Sequence, residues 1–308
     1  MNRQKRVETA LETKSILESG EYQYFSPIPS STTGKRISIV NELKSSCEGT
    51  ILVDNKMTKQ WFSKFSSKKE RSERQNDYPT ISVVNQTTFA AANEIIVNHQ
   101  GLENSKTVPS PCCLNFASAK NAGGGFMRGA QAQEESLARA SGLYSTLLKV
   151  PEYYETNRKY RNRGFYEDLL IYSPNVPVFR DDNDELLDVP WFTSIITMPA
   201  PNRGAIMKKD LSNDQRDVLD SHIVETYKRR IDMVLCTAVK FGHRELVLGA
   251  WGCGVFQNHP TVVATLFKNA ILDAYFQGRF DSIVFAVLDH STNADTYNAF
   301  KRSFDDFQ

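Results

Sequence analysis

The sequence has no long apolar run, no closely spaced cysteine pair and no excess of one charge. No stretch of 18 or more apolar residues is present, so no transmembrane helix and no membrane partner are predicted. The N-terminal residues lack the apolar core of a secretory signal, and the five cysteines are scattered without CxxC spacing. Both features are typical of an intracellular protein, cytoplasmic or nuclear, with reduced thiols. Basic residues number 37 and acidic residues 36, so the charge balance gives no sign of sequence-specific nucleic-acid binding.

Several catalytic signatures are also missing. The dinucleotide pattern G-x-G-x-x-G fails after Gly123, because position 128 is Arg and Gly129 comes one residue late. The phosphate-loop pattern and the G-x-S-x-G nucleophile elbow are absent. The acidic run 181–185 lacks the glycine of a calcium loop and is predicted to be a solvated turn. The histidines have no metal-ligand spacing, so neither a metal nor a cofactor is predicted.

Strand and helix patterns alternate from residue 81 onward, which indicates a mixed, largely parallel α/β sheet with helices on both faces. The predicted strands cover residues 81–85, 111–116, 168–172, 192–198, 245–249 and 281–288. The predicted helices cover residues 87–98, 133–148, 152–163, 211–241, 260–276 and 293–304.

The first 75 residues differ from this pattern. They carry a predicted helix over 6–18 that stops at Gly20, a short strand at 36–40 and an amphipathic helix over 56–76. We therefore expect residues 1–75 to form an N-terminal helical extension, packed on a catalytic domain of residues 76–308. The helix over 56–76 has a basic face, which is either solvated or a margin that steers an anionic polymer.

Two glycine-rich loops each follow a predicted strand. One contains Gly123, Gly124 and Gly125, and the other covers residues 249–254. Consecutive glycines suit a backbone that adopts unusual conformations close to a ligand. Ligands of parallel sheets bind at the carboxyl ends of the strands, so the two loops can meet at one site. Their exposed N–H groups are suited to a diphosphate.

Glu134 and Glu135 open the helix that follows the first glycine loop. One interpretation is purely structural: acidic residues favour a helix N-terminus, and Glu135 can pair with Arg139 one turn later. The other is catalytic. Adjacent residues on a helix point about 100° apart, so they suit one carboxyl for proton transfer and one for holding substrate. The residues alone leave both interpretations open.

At these residues the sequence resembles the microbial-type poly(ADP-ribose) glycohydrolases, which are macrodomain proteins with three glycines, about seven residues and then Gln-Glu-Glu. Here seven residues separate Gly125 from Gln133. The resemblance continues over 171–182, 196–202, 248–256 and 284–289, and reaches back to 8–22. This chain departs from the family at Ala122, where proline is common, and at 257–260, at the rim of the expected site.

The resemblance implies a three-layer α/β/α macrodomain with a mixed central sheet, which hydrolyses the ribose–ribose bonds of poly(ADP-ribose) from chain ends and releases ADP-ribose. It implies that Glu135 is the general acid and base, that Glu134 binds ribose hydroxyls and that Gln133 positions the pair. The implied substrate-binding residues are Asn121, Gly123, Gly124, Gly125, Gln133, Gly252, Cys253, Gly254, Val255 and Phe256. We expect a monomer that needs no cofactor.

Two alternatives remain. A hydrolase of single ADP-ribose units on protein or nucleic acid would share both loops and differ at the rim. A binding module without catalysis would have no need of the glutamate pair. The implied partners are poly(ADP-ribose) or other ADP-ribosylated macromolecules as substrate and ADP-ribose as product.

Overall fold

A computed structural model describes residues 1–26, 34–67, 78–100, 110–160, 163–207 and 210–307. The strands are β1 (Glu21–Tyr24), β2 (Lys35–Ser38), β3 (Ile51–Asp54), β4 (Thr80–Val84), β5 (Cys112–Phe116), β6 (Leu169–Arg180), β7 (Leu186–Met198), β8 (Glu245–Leu248) and β9 (Ser282–Ala286). The α-helices are α1 (Arg3–Ser19), α2 (Val40–Gly49), α3 (Asn55–Ser67), α4 (Thr88–Gln100), α5 (Gln133–Ala140), α6 (Leu143–Leu147), α7 (Pro151–Lys159), α8 (Arg203–Ile206), α9 (Asn213–Lys240), α10 (Pro260–Ile271) and α11 (Asp295–Ser303).

Seven strands form one mixed sheet in the order β3-β6-β7-β5-β8-β9-β4. The five strands from β7 to β4 are parallel to one another, whereas β6 pairs antiparallel with both of its neighbours, β3 and β7. β5 lies in the middle, between β7 and β8. The sheet is therefore mixed and largely parallel, as predicted.

A separate apolar core covers each face of the sheet. One contains buried side chains of α9, α10 and α11, and the other contains those of α4, α5, α6 and α7. Alternate residues of one strand divide between them: Cys112 and Leu114 of β5 face the first core, and Cys113 faces the second. These two helical layers and the sheet confirm the predicted three-layer α/β/α fold.

The helix predicted over 133–148 is broken after Ala140. Ser141 adopts an extended backbone and bridges Val178 of β6, and the N–H of Gly142 donates to the carbonyl of Pro177 at 2.8 Å. A side chain at Gly142 would collide with Leu43 and Pro177, so the chain passes too close to β6 to stay helical. The helix that carries the two glutamates is therefore only eight residues long.

The predicted strands 168–172 and 192–198 are the inner parts of a long β6–β7 hairpin. Residues 181–185 form its turn, as predicted, with the N–H of Asp181 donating to the carbonyl of Glu185 at 3.0 Å. The predicted helix over 152–163 ends at Lys159, and residues 161–162 lie outside the described ranges.

The first 75 residues contain strands as well as helices, and β2 is the strand predicted over 36–40. β1 and β2 form a separate two-stranded sheet, and β3 joins the edge of the central sheet against β6. β3 is only four residues long, and three of them are apolar, which is too short for a periodicity to stand out. The predicted helix over 56–76 is present as α3, and residues 68–77 lie outside the described ranges. The boundary at residue 75 stays a prediction. In the described part of the chain, no helix has the length and apolar character needed to cross a membrane.

Candidate active site

A cavity of about 970 Å³ opens at the carboxyl ends of the parallel strands. Its walls come from segments that follow β4, β5, β7, β8 and β9, together with α5 and the β6–β7 turn. Residues that flank the first glycine loop, 116–121 and 131–136, line one side, and residues 250–252 and 254–256 of the second loop line the other. The size is that of a small-molecule site, and its position is the one at which α/β sheets bind ligands.

The side chains of Glu134 and Glu135 converge on Gly124. A methyl group at Gly124 would lie 3.1 Å from Oε2 of Glu134 and 3.0 Å from Cδ of Glu135. The N–H of Gly125 donates to Oε1 of Glu135 at 2.9 Å. Arg139 makes its hydrogen bonds to Ala130, Gln131, Ser136 and Asp184. In the described residues no ion pair joins it to Glu135, so the structural interpretation of that glutamate is wrong in this detail.

Glu134 is held in a buried polar pocket and is only 3% exposed. The N–H of Ser118 donates to its Oε2 at 2.6 Å, and Nδ2 of Asn115 donates to its Oε1 at 3.3 Å. Burial nevertheless raises the pKa of the Glu134 carboxyl to about 8, because the two hydrogen bonds compensate only part of the lost hydration. Burial therefore favours the protonated form of Glu134.

The glycine triplet lies behind the carboxylates and does not line the cavity directly. Gly124 has φ +61°, a conformation that favours glycine, and a side chain there would overlap the carboxyl of Glu135. A glycine at 124 therefore makes room for the two carboxylates. The expected direct contact of these glycines with the diphosphate stays a prediction.

Gln133 fixes the start of α5. Its Nε2 donates to the carbonyl of Leu114 at 2.8 Å and to Oγ1 of Thr88 at 3.0 Å. Its Oε1 accepts from the N–H of Phe116 at 2.8 Å. One side chain thus ties α5 to β5 and α4, which gives a physical basis for the positioning role that the resemblance implies.

The second loop is held from below by three buried side chains. The hydroxyl of Tyr227 donates to the carbonyl of Trp251 at 2.7 Å, and the indole N–H of Trp251 donates to the carbonyl of Met198 at 3.1 Å. Nδ2 of Asn258 donates to the carbonyl of Gly252 at 2.9 Å. Gly252 has φ +75°, and a side chain there would meet Ala200, Tyr227 and Asn258, so the tight turn requires glycine.

The rest of this loop divides between the cavity and the interior. Gly254, Val255 and Phe256 line the cavity, with Val255 80% exposed. Cys253 is the exception among the predicted residues of this loop, because it is absent from the lining and burial raises the pKa of its thiol to about 12. Asn121 lines the cavity at the rim of the first loop.

Known proteins share the sequence and the fold of this chain. Residues 10–181 match the family model of the microbial-type PARG catalytic domain. PARG here is poly(ADP-ribose) glycohydrolase, the name that the matching structures carry in full.

The chain belongs to the microbial-type poly(ADP-ribose) glycohydrolases.

The glycohydrolase of Thermomonospora curvata is 39% identical, with a TM-score of 0.82 over 98% of this chain and 100% of that one; one of its structures holds the inhibitor ADP-HPD. The Deinococcus radiodurans glycohydrolase in complex with ADP-ribose is 38% identical, with a TM-score of 0.71 over 86% of this chain and 97% of that one. No curated protein sequence matches the chain.

Local sequence patterns do not mark several residues that line or support this cavity. Asn115 and Ser118, which hold Glu134, follow no motif that marks them. Oγ1 of Thr87 donates to both carboxylate oxygens of Asp182, at 2.9 and 2.8 Å, and so links α4 to the β6–β7 turn. Tyr166 lines the cavity from the loop before β6. These contacts join segments far apart in the chain, and local periodicity carries no information on them.

Proposed function

We propose that this glycohydrolase cleaves the ribose–ribose bonds of poly(ADP-ribose) from chain ends and releases ADP-ribose, with Glu135 as general acid and base. The observation that carries the proposal is the convergence of two carboxyl groups on Gly124, in a cavity of nucleotide size. Both carboxyls lie on one side of the site, so the proton transfers fall to one residue rather than to an opposed pair.

Access favours Glu135 as the group that transfers protons. Its Oε1 accepts from Gly125, and its Oε2 has no hydrogen-bond partner in the described part of the chain. Glu134 has the raised pKa of an acid, but it is 3% exposed and both of its oxygens accept hydrogen bonds from the protein. We assign the proton transfer by position rather than by pKa, because a general acid must be able to reach the leaving oxygen.

The reaction then runs through one carboxyl. Glu135 protonates the glycosidic oxygen while the bond to the anomeric carbon breaks, and the terminal ribose becomes an oxocarbenium-like cation. The Glu135 carboxylate next removes a proton from the water that adds to that carbon, which regenerates the acid. A fixed carboxylate beside the cation stabilises it without further reorganisation.

Glu134 and the second loop bind the substrate. A protonated Glu134 can donate to one ribose hydroxyl while its other oxygen accepts from the protein. The loop from Gly252 to Phe256 contributes backbone N–H groups suited to a diphosphate, and the ring of Phe256 packs on the sugar. These are the roles that the family resemblance implies, and Glu134, Gly252 and Phe256 all line the cavity.

The decisive experiment compares Glu135→Gln with Glu134→Gln on purified polymer. Glu135→Gln should lower the rate of ADP-ribose release by about 10²- to 10⁴-fold, the usual contribution of a general acid and base, and keep ADP-ribose binding. Glu134→Gln should weaken ADP-ribose binding as well. Unchanged turnover in Glu135→Gln would exclude the assignment.

The same assay separates the two alternatives. Faster release from singly modified protein or nucleic acid than from polymer would identify a mono-ADP-ribosyl hydrolase. Calorimetric binding of ADP-ribose without product over long incubation would identify a binding module.

A further inference from the structure

Tyr166 lines two cavities at once. It belongs to the wall of the active-site cavity and also to that of a second cavity of about 350 Å³. Its ring centroid lies 6.3 Å from that of Phe256, the aromatic residue expected to pack on the terminal sugar. Tyr166 therefore lies beside Phe256, in the wall that the active-site cavity shares with the neighbouring cavity.

The backbone of Tyr166 is strained. Its φ of +61° lies in the left-handed region, which a bulky aromatic residue rarely adopts. Such conformations persist only where the surrounding structure enforces them, and they concentrate at functional sites.

Buried polar groups enforce this conformation. The guanidinium of Arg230, fully buried, donates through Nη2 to the carbonyls of Phe165 and Tyr166 at 2.6 and 3.0 Å. Oδ1 of the buried Asn157 accepts from the N–H of Glu167 at 2.9 Å. Three consecutive residues are thus fixed from behind, while the side chain of Tyr166 remains partly exposed.

The second cavity fits a neutral ring better than a polyanion. Arg229 and His222 contribute basic groups to its lining, but Asp168 and Glu225 contribute acidic ones. Arg229 is already paired, with its Nε donating to Oδ2 of Asp168 at 3.0 Å. These carboxylates would repel a diphosphate, whereas they would not repel an uncharged base.

We propose that Tyr166 is the stacking residue of a leaving-unit subsite, which binds the adenine of the ADP-ribose unit next to the scissile bond. The inference rests on the proposed function. The oxygen that Glu135 protonates belongs to the adenosine ribose of that next unit, so its base emerges beside the terminal sugar. There it meets the ring of Tyr166 and the second cavity behind it.

The test measures affinity in the Glu135→Gln background, so that the oligomer is not consumed. A two-unit oligomer of ADP-ribose should bind about tenfold more tightly than ADP-ribose itself, within the range of one aromatic–base stack. Tyr166→Ala should remove that advantage and leave the affinity for ADP-ribose unchanged. Tyr166→Phe should keep it, and so should Tyr78→Ala, which removes an exposed tyrosine that lines neither cavity.

Tyr166→Gly separates recognition from folding. Glycine adopts positive φ without strain, so this variant should unfold at a higher urea concentration than Tyr166→Ala and still lose the oligomer advantage. Equal weakening of ADP-ribose and oligomer by Tyr166→Ala would assign Tyr166 to the terminal unit and overturn the proposal. Equal affinity of the Glu135→Gln protein for both ligands would also overturn it. Absence of ADP-ribose release by the unmodified enzyme would instead count against the proposed function.

Discussion

The N–H of Gly125 donates to Oε1 of Glu135 at 2.9 Å, so the backbone of the glycine triplet orients the proposed catalytic carboxyl. Gly124, one residue earlier, leaves the space that this carboxyl fills. The carboxyl of Glu135 therefore depends on the glycine loop both for its space and for its orientation.

Gly124→Ala should lower the rate of ADP-ribose release by at least 10²-fold, because its methyl group displaces the carboxyl of Glu135. Gly242→Ala is the matched control. Gly242 also has positive φ, at +76°, but a methyl group there meets nothing within 4 Å. Both variants should lose about 1 kcal/mol of unfolding free energy from backbone strain, and only Gly124→Ala should lose activity. Equal activity in the two variants, measured on polymer, would contradict this explanation.

Ionisation of Glu134 should lower the free energy of unfolding as the pH rises. Its folded-state pKa is raised by burial to about 8, whereas the unfolded value is 4.5. The contribution is therefore complete below pH 4.5 and is lost as pH rises to about 8. Glu134→Gln cannot ionise, so between pH 5 and pH 8.5 its stability relative to wild type should rise by roughly 4 kcal/mol.

Urea unfolding of both proteins at several pH values measures this difference. Glu225→Gln is the control, since the pKa of the exposed Glu225 carboxyl is lowered by its hydrogen bond with Lys228. It ionises in both states above pH 5, and the control curve should run parallel to wild type. A parallel curve for Glu134→Gln as well would show that Glu134 is ionised in the folded protein.

Helix α1 braces the proposed catalytic loop. Nε of Arg6 donates to the carbonyl of Gly129 at 2.9 Å, and Ala10 packs against Phe126 and Ala138. Arg6→Ala should lower the unfolding free energy by about 1 kcal/mol and slow ADP-ribose release, because the turn before α5 loses an anchor. Lys14 lies on the exposed side of the same helix. Lys14→Ala should change the unfolding free energy by no more than about 0.5 kcal/mol and leave the rate of ADP-ribose release unchanged. Turnover and urea midpoints that are equal for the two variants would exclude a bracing role.

Arg229 and Arg230 both pair with Asp168, at 3.0 and 2.9 Å, but only Arg230 is fully buried. Arg230→Ala leaves Asp168 and four backbone carbonyls without this donor in the interior and should destabilise the protein by about 3–5 kcal/mol. Arg229→Ala removes a half-exposed partner and should cost less than about 1 kcal/mol. Thermal unfolding of the two variants measures both losses of stability. Equal losses would show that burial of the arginine does not set the cost.

Local patterns were sufficient for much of this fold and for the main residues of the site. Alternation of apolar strands and amphipathic helices predicted the order of elements from β4 to α11, and glycine loops after two strands predicted where a site would form. Both inferences depend on residues near one another in the chain. The start of α5 at Gln133 is of this kind, since the polar pair after it marks a helix N-terminus.

The rest depends on contacts between distant segments. The break at Ser141 follows from the approach of Pro177 of β6, and the Ser141-Gly142 pair is only a weak local sign of it. Arg230 stands in a run of three basic residues that reads as a solvated face, yet it is buried against the loop of Tyr166. The positive φ of Tyr166 is invisible in the sequence, because only glycine and asparagine mark such positions.

The adjacency of β5 and β8 in the central sheet limits how the enzyme can open. The proposed catalytic loop follows β5 and the proposed diphosphate loop follows β8. Because these strands are hydrogen-bonded neighbours, the two loops begin one strand spacing apart, about 4.8 Å. The bases of the two loops cannot separate without breaking this ladder. The β6–β7 turn is attached differently, by side-chain hydrogen bonds from Thr87 to Asp182 and from Arg139 to Asp184, so we expect it to move more readily than the two loop bases.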